Sequence, residues 1–158
     1  MAECKNIMVY VETAEGNPVK VGLEMLSPAK KLADKVTAVV IGGGVADAAK
    51  EVAKAGADQV ICVDSEDYKE FNLDAYAQVL VELVKEENPE AVFVGGTQDG
   101  KDIAPVVAAK CNTGCASDVL DIKAEDGEVI YTCPLYGGTV LEDVKLSLIH
   151  ISEPTRPE

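Results

Sequence analysis

Tryptophan is absent from this chain of 158 residues, which also has one histidine, two phenylalanines and five tyrosines. With so few aromatic residues, the core must be built from Val, Ile, Leu and Ala. That usage is typical of a buried parallel sheet covered by Ala-rich helices. No apolar run reaches the length of about 20 residues that a transmembrane helix needs. The composition therefore predicts one α/β domain of ordinary size.

Basic residues are also scarce, because 14 Lys and Arg face 28 Asp and Glu, for a net charge of −14. Such a surface repels phosphate backbones, which excludes nucleic-acid binding as a function. It offers no basic patch for an anionic membrane either. The N-terminus enters a strand pattern directly and lacks a basic-then-apolar signal region. We therefore expect a cytoplasmic protein with no nucleic-acid partner and no membrane insertion.

The cysteines number five, and an odd count without a signal peptide argues against a disulfide framework. Cys111 and Cys115 form a C-x3-C pair, whereas metal and redox pairs usually use C-x2-C with further ligands nearby. Free cysteines are mostly small buried hydrophobic residues. The pattern thus favours core positions for Cys111 and Cys115 over a metal or redox site.

Strand and helix patterns alternate along the chain. Strands are predicted at 6–12, 36–41, 59–63, 91–94, 116–122 and 128–132. Helices are predicted at 21–35, 45–55, 73–87 and 102–111. Ser27-Pro28 is a good N-cap and N1 pair, so it favours a later start for the first helix. Asp126-Gly127 favours a tight hairpin between the last two strands.

This β-α-β-α order predicts a parallel sheet with right-handed crossovers and helices on both faces. The predicted fold is thus a three-layer αβα arrangement with a mostly parallel sheet. It is Rossmann-like, of the adenine nucleotide alpha hydrolase-like type.

Gly42-Gly43-Gly44 follows a strand and opens a helix, which is where a phosphate loop would lie. A dinucleotide fingerprint needs glycine three residues after its second glycine, and Asp47 stands there. An acidic side chain would oppose a pyrophosphate. We therefore interpret the three glycines as a flexible strand-to-helix turn.

The segment from Gly95 to Asp102 leaves the carboxyl end of the fourth predicted strand, where open α/β sheets place their sites. Its small residues allow a close backbone approach, and Asp102 suits the start of the next helix as a cap or dipole partner. A tight loop with a cap is favoured here over ligand contact. Thr113-Gly114 with Asp118 is similar, as a glycine helix stop before a strand. We assign no catalytic, cofactor-binding or metal-ligating residue.

These residues together resemble the N-terminal domain of the alpha subunit of electron-transfer flavoproteins. The similarity covers residues 6–145. The matching segments are Val9-Tyr-Val-Glu12, Leu23-Glu-Met-Leu-Ser27, Ala33-Asp34, Gly56-Ala-Asp-Gln-Val60, Tyr76-Ala77, Val92-Phe-Val-Gly-Gly-Thr-Gln-Asp-Gly-Lys-Asp-Ile-Ala-Pro-Val-Val-Ala-Ala109, Thr113-Gly114, Ala116-Ser-Asp118 and Pro134-Leu-Tyr-Gly-Gly138. The family often has arginine where this chain has Lys101 and Val106. An ammonium cannot reproduce a bidentate guanidinium contact, so any such contact at Lys101 is in doubt.

The resemblance implies a heterodimeric carrier that accepts electrons from acyl-CoA-type dehydrogenases through FAD. In the family, FAD is held mainly by the second, C-terminal domain of the alpha subunit, which this chain lacks. The resemblance therefore implies a scaffold that packs against the beta subunit. It implies an electron carrier and no enzyme, and a fragment without FAD and without activity of its own.

The C-terminal string from Leu146 to Arg156 resembles the translation of a DNA sequencing-library adapter of the transposase-end type. On this interpretation residues 1–145 are an incomplete N-terminal domain and residues 146–158 are a non-native tail, which includes His150. The alternative is a genuine C-terminal strand at 145–151 followed by a polar Ser-Glu-Pro tail. Such ends are excluded from fold reasoning.

Two other functions are compatible with the pattern. One is a stand-alone nucleotide-binding module of the related adenine-nucleotide hydrolase-like type. The other is a small α/β enzyme that uses Asp102 or Cys115.

A long sequencing read across the source DNA tests the tail interpretation. We expect the frame to continue beyond the Lys145 codon into a Gly-rich flavin-binding domain. A frame that ends at Glu158 would instead favour the stand-alone nucleotide-binding module.

Overall fold

The computed structural model describes residues 4–112, 115–119, 121–125, 128–135, 140–145 and 150–154, with side chains for 5–112 and 115. Its main sheet has six parallel strands in the order β5-β4-β1-β6-β11-β7. These strands are β1 (Cys4–Tyr10), β4 (Ala33–Gly42), β5 (Gln59–Asp64), β6 (Ala91–Val94), β7 (Cys115–Val119) and β11 (His150–Pro154). The predicted three-layer fold with a mostly parallel sheet is confirmed.

Strand β1 is a central strand of the sheet, with β4 on one side and β6 on the other. Val9 is paired with Ala38 of β4 on one side and with Phe93 of β6 on the other. The chain runs outward from β1 through β4 to β5 and then crosses back to β6. The strand order thus reverses between β1 and β6, and such switch points open a crevice at the carboxyl ends of the strands.

In the described part of the chain, four α-helices cover the sheet: α1 (Lys20–Leu32), α2 (Ala46–Lys54), α3 (Leu73–Glu87) and α4 (Gln98–Lys110). Ile7 and Val9 of β1 pack in one core cluster with α1 and α2, and Met8 and Tyr10 pack in the other cluster with α3 and α4. The alternation arises because successive side chains of a strand point to opposite faces. Both faces of the sheet are therefore buried, as a parallel sheet requires.

The helix α3 has the bounds that the apolar periodicity predicts. Asn72 caps it, since its Oδ1 accepts a hydrogen bond from the N–H of Ala75 at 3.0 Å. Asn88 ends it in the left-handed conformation, with φ of 49°. Asparagine is among the few residues that adopt this conformation without a large steric cost.

The later start predicted for the first helix from Ser27-Pro28 is wrong. Helix α1 begins at Lys20 and contains Pro28. A proline in a helix interior removes one backbone hydrogen bond. Met25 and Leu26 are nevertheless buried just before it, at 4% and 0% exposure. Burial of this apolar face explains why the helix continues through the proline.

A short hairpin follows β1, formed by β2 (Thr13–Ala14) and β3 (Asn17–Pro18). Its turn residues Glu15 and Gly16 have φ of 52° and 80°. Positive φ at both central positions is typical of the tight turns that match strand twist. The chain therefore reverses at Glu15-Gly16, and Asn17 and Pro18 already belong to β3.

The segment predicted as one strand at 116–122 is divided in the structure. Strand β7 joins the parallel sheet, whereas β8 (Asp121–Glu125) pairs in an antiparallel sheet with β9 (Glu128–Leu135), and β9 pairs with β10 (Val140–Lys145). Glu125 is paired with Glu128, as the hairpin prediction requires. The turn residues Asp126 and Gly127 lie outside the described residues, as do Thr113 and Gly114. Part of the tail, His150–Pro154, forms β11 between β6 and β7.

Asp58 links the start of β4 to α1 and to the segment before β5. Its carboxylate accepts hydrogen bonds from the N–H of Val36 at 2.8 Å and from Nζ of Lys30 at 2.7 Å. These two contacts hold the pKa of Asp58 below its ordinary value. A carboxylate with a depressed folded-state pKa stabilises the fold above its unfolded pKa, which is about 3.9.

We expect Asp58→Asn to lower the free energy of unfolding at pH 7 by about 1 kcal/mol or less, because the pair is exposed and screened by solvent. The difference from the parent should vanish as pH falls through the folded-state pKa of Asp58. Urea unfolding of both proteins between pH 3 and pH 7 measures it. Asp34→Asn, at an exposed site on β4, is the control. A difference that is equally large at pH 3 would contradict this account.

Candidate functional site

A cleft of about 410 Å³ lies at the carboxyl ends of β1 and β4. This is the place where the fold predicts a site, beside the switch point of the sheet. Its walls come from the end of β1, the β2–β3 hairpin, the turn after β4, the segment before α3, and the first turn of α4. The residues that define its chemistry are Tyr10, Glu12, Glu15, Lys69, Phe71, Tyr76 and Asp99.

Glu12 and Thr97 join the ends of the two strands at the switch point. The Thr97 hydroxyl donates to Oε1 of Glu12 at 2.5 Å, and its oxygen accepts the N–H of Gly100 at 3.0 Å. Thr97 is therefore the N-cap of α4. Burial raises the pKa of Glu12, the Thr97 hydrogen bond lowers it, and nearby Asp99 raises it further. This one threonine fixes both the helix start and a half-buried carboxylate.

The predicted capping role of Asp102 is wrong. Asp102 lies exposed in the second turn of α4, where it accepts a hydrogen bond from Nε2 of Gln98 at 3.4 Å. The helix begins four residues earlier than the prediction because the Thr97 hydroxyl satisfies an amide of its first turn. Asp99 is the acidic residue of that first turn.

The glycines in the segment 95–102 allow two parts of its backbone to approach each other closely. A Cβ at Gly100 would lie 2.0 Å from the Gly95 carbonyl oxygen and 3.1 Å from Oε1 of Glu12. A Cβ at Gly95 would lie 2.8 Å from Cγ1 of Val21. The small residues thus serve internal packing, as the tight-loop interpretation expects.

The glycine turn after β4 is held by an aspartate. The N–H of Gly44 donates to Oδ1 of Asp64 at 2.7 Å, and Gly44 has φ of 70°. An amide that a phosphate loop would direct at its ligand is already paired with a carboxylate. This arrangement supports the interpretation of 42–44 as a turn.

The charges of the cleft do not fit a flavin pyrophosphate. Three carboxylates line it (Glu12, Glu15 and Asp99), and Lys69 is the one cationic side chain among its described lining residues. A pyrophosphate there would be repelled by the acids, and the Gly44 amide of the glycine turn is already paired with Asp64. These charges disfavour a pyrophosphate at this cleft.

An aromatic group forms one wall of the cleft. Phe71 and Tyr76 pack edge to face with ring centroids 5.0 Å apart, and Tyr68 packs on Tyr76 at 5.8 Å. The Tyr76 hydroxyl donates to the carbonyl of Tyr68 at 2.5 Å. Tyr10 is 2% exposed, and burial raises its pKa well above the ordinary value.

The structure does not gather the other candidate residues at the cleft. Cys111 and Cys115 are partly buried and pack against the core cluster of α3 and α4, which agrees with core positions. Cys62 departs from the expectation, since it is exposed on the edge strand β5.

Among the described residues, no three His, Cys, Asp or Glu side chains are placed to hold a metal ion. A search of the same residues found no helix with the length and hydrophobicity needed to cross a membrane.

The sequence motifs did not point to Tyr10, Glu12 or Asp99 as neighbours. Glu12 and Asp99 are distant in the chain, and each has an ordinary local role, at a strand end and in a first helical turn. The available signal was topological: both follow strands that flank a switch point.

Comparison with known proteins places this α/β domain in a family. Residues 7–149 match the family model described as the electron transfer flavoprotein domain. The chain belongs to this family. The resemblance inferred from the sequence is thereby confirmed.

Curated relatives support the same assignment. The chain is 36% identical to Protein FixB of Clostridium saccharobutylicum, over 91% of this chain and 45% of the relative. It is 36% identical to the electron transfer flavoprotein subunit alpha of Clostridium acetobutylicum, over 92% and 45%. It is 31% identical to the lactate dehydrogenase (NAD(+),ferredoxin) subunit LctC of Acetobacterium woodii, over 98% and 37%. The chain thus spans less than half the length of these relatives.

We expect Gly100→Ala to destabilise the domain by about 1–3 kcal/mol, because the new methyl group overlaps the Gly95 carbonyl oxygen. Gln98→Ala, at an exposed position in the same first turn, is the matched control. Thermal unfolding followed by circular dichroism measures both. Equal stability of the Gly100→Ala variant and the parent would show that the close approach of the two backbones is wrong.

Proposed function

We propose that this chain is the N-terminal part of an electron-transfer flavoprotein alpha subunit and serves as its scaffold and docking domain for the beta subunit. The observation that carries the proposal is the family match over residues 7–149. The Clostridium acetobutylicum relative named as an alpha subunit is matched over only 45% of its length, which supports a partial alpha subunit.

The full-length protein would carry electrons through FAD, with the protein part positioning the flavin and tuning its environment. FAD would be held by the second domain, and none by this part. The three carboxylates of the cleft support that division, because they disfavour a pyrophosphate. The protein would then be a carrier without an enzyme activity in this part, and we place it in the cytoplasm.

The electron donors would be dehydrogenases of the acyl-CoA type. One relative, 38% identical over 72% of this chain, is named acryloyl-CoA reductase electron transfer subunit beta and comes from Anaerotignum propionicum. Another carries the name of a lactate dehydrogenase subunit. These names support dehydrogenases as partners, and they do not choose among substrates.

We further propose that residues 1–145 are an incomplete N-terminal domain and that residues 146–158 are a non-native tail. The support is the resemblance of the string from Leu146 to Arg156 to a library adapter. In a longer parent protein, native residues would then follow Lys145.

Docking is tested by co-expression with the beta subunit of the Clostridium acetobutylicum flavoprotein, whose alpha subunit is 36% identical to this chain. We expect a tagged chain to retain the beta subunit at a one-to-one ratio through size-exclusion chromatography. The N-terminal half of the Clostridium acetobutylicum alpha subunit is the positive control.

The negative control is Leu80→Asp, which places a charge at a fully buried core position and should unfold the domain. Retention by the positive control alone, with the parent chain folded by circular dichroism, would contradict the docking role.

A further inference from the structure

The Tyr10 hydroxyl is a buried polar group at the cleft. Tyr10 is 2% exposed and lines the cleft. Within the described side chains its hydroxyl has no hydrogen-bond partner, whereas neighbouring Tyr76 donates to the Tyr68 carbonyl. Buried hydroxyls are normally paired, and an unpaired one destabilises the fold. A bound molecule that reaches Tyr10 would remove that cost.

Two half-buried carboxylates stand beside it without a cation. Glu12 accepts the Thr97 hydroxyl at Oε1. The four ion pairs found among the described residues all lie elsewhere, so neither Glu12 nor Asp99 has a partner of that kind there. Burial raises the pKa of Glu12, the Thr97 hydrogen bond lowers it and Asp99 raises it, so burial and a neighbouring acid both disfavour its charged form. A positive charge in the cleft would compensate it.

The shape of the cleft favours a small organic cation over a bare ion. Its volume of about 410 Å³ exceeds what one metal ion needs, and the rings of Phe71 and Tyr76 give it an apolar wall. An alkyl chain packs on such rings, and an ammonium group is attracted both to carboxylates and to aromatic faces. Lys69 lies at the exposed margin and leaves the net charge of the walls negative.

We infer that the cleft binds a small aliphatic amine, with its ammonium group between Glu12 and Asp99 and within hydrogen-bond reach of the Tyr10 hydroxyl. The Tyr10 oxygen accepts one ammonium N–H, and the carboxylates accept the others. The alkyl part lies along Phe71 and Tyr76. This site is separate from the proposed docking and flavin functions, and it does not depend on them.

Isothermal titration calorimetry of the full chain with putrescine and with spermidine tests the inference, in 0.15 M NaCl to screen non-specific attraction to the acidic surface. We expect saturable binding of one amine per chain. Tyr10→Phe removes only the hydroxyl and keeps the ring, so the fold should persist. It should weaken binding about tenfold, which corresponds to about 1.4 kcal/mol.

Asp99→Asn should weaken binding by a similar factor, because it removes one carboxylate of the pair. Asp34→Asn is the matched control, since it makes the same change of charge at an exposed position near the opposite end of the sheet. It should bind amines like the parent. Circular dichroism confirms that each variant is folded.

Two results would overturn the inference. One is the absence of saturable heat up to millimolar amine. The other is equal weakening by Asp34→Asn and Asp99→Asn, which would mean attraction to the overall charge only. Failure of this test leaves docking to the beta subunit unaffected, because the two experiments use different readouts.

Discussion

The burial of one short parallel strand on both faces determines most of this structure. Every residue of β6 is buried, and residues 7–10 of β1 and the following Val11 are buried beside it. A parallel sheet with two apolar faces needs helices on each side. Helices therefore cover both faces of the sheet, and the polar groups of the cleft lie at the ends of the strands. The cleft with Tyr10, Glu12 and Asp99 follows from this constraint.

At the carboxyl ends of β1 and β6, a few short-range contacts determine the local geometry. Thr97 caps α4 and binds Glu12, and Gly100 lets the loop backbone fold against the Gly95 carbonyl. A Cβ atom at Gly100 would overlap the Gly95 carbonyl oxygen. The small residues of the segment 95–102 are therefore explained by packing. The acids that line the cleft are a separate feature, held in place by that packing.

The sequence predicted elements well where burial and local signals agree. Helix α3 and strand β6 have the bounds that the pattern predicts. Asn72 caps α3, which has a clear apolar face, and β6 is a continuous apolar run. Local signals failed at Ser27-Pro28, where core packing of Met25 and Leu26 continued the helix through a proline. They failed again at Asp102, where an earlier hydroxyl supplied the cap. The residues of the cleft were not predicted from the sequence, because Tyr10 and Asp99 are brought to the same cleft only by the order of the strands in the sheet.

From family membership and the charge of the cleft, we propose that this chain supports a flavin carrier without holding the flavin. Fluorescence titration of the purified chain with FAD tests that claim most directly, because bound flavin changes its emission. The account predicts no saturable change up to about 100 μM FAD, which corresponds to a binding free energy weaker than about −5.5 kcal/mol. Stoichiometric binding at micromolar FAD, with visible absorbance retained after gel filtration, would contradict it.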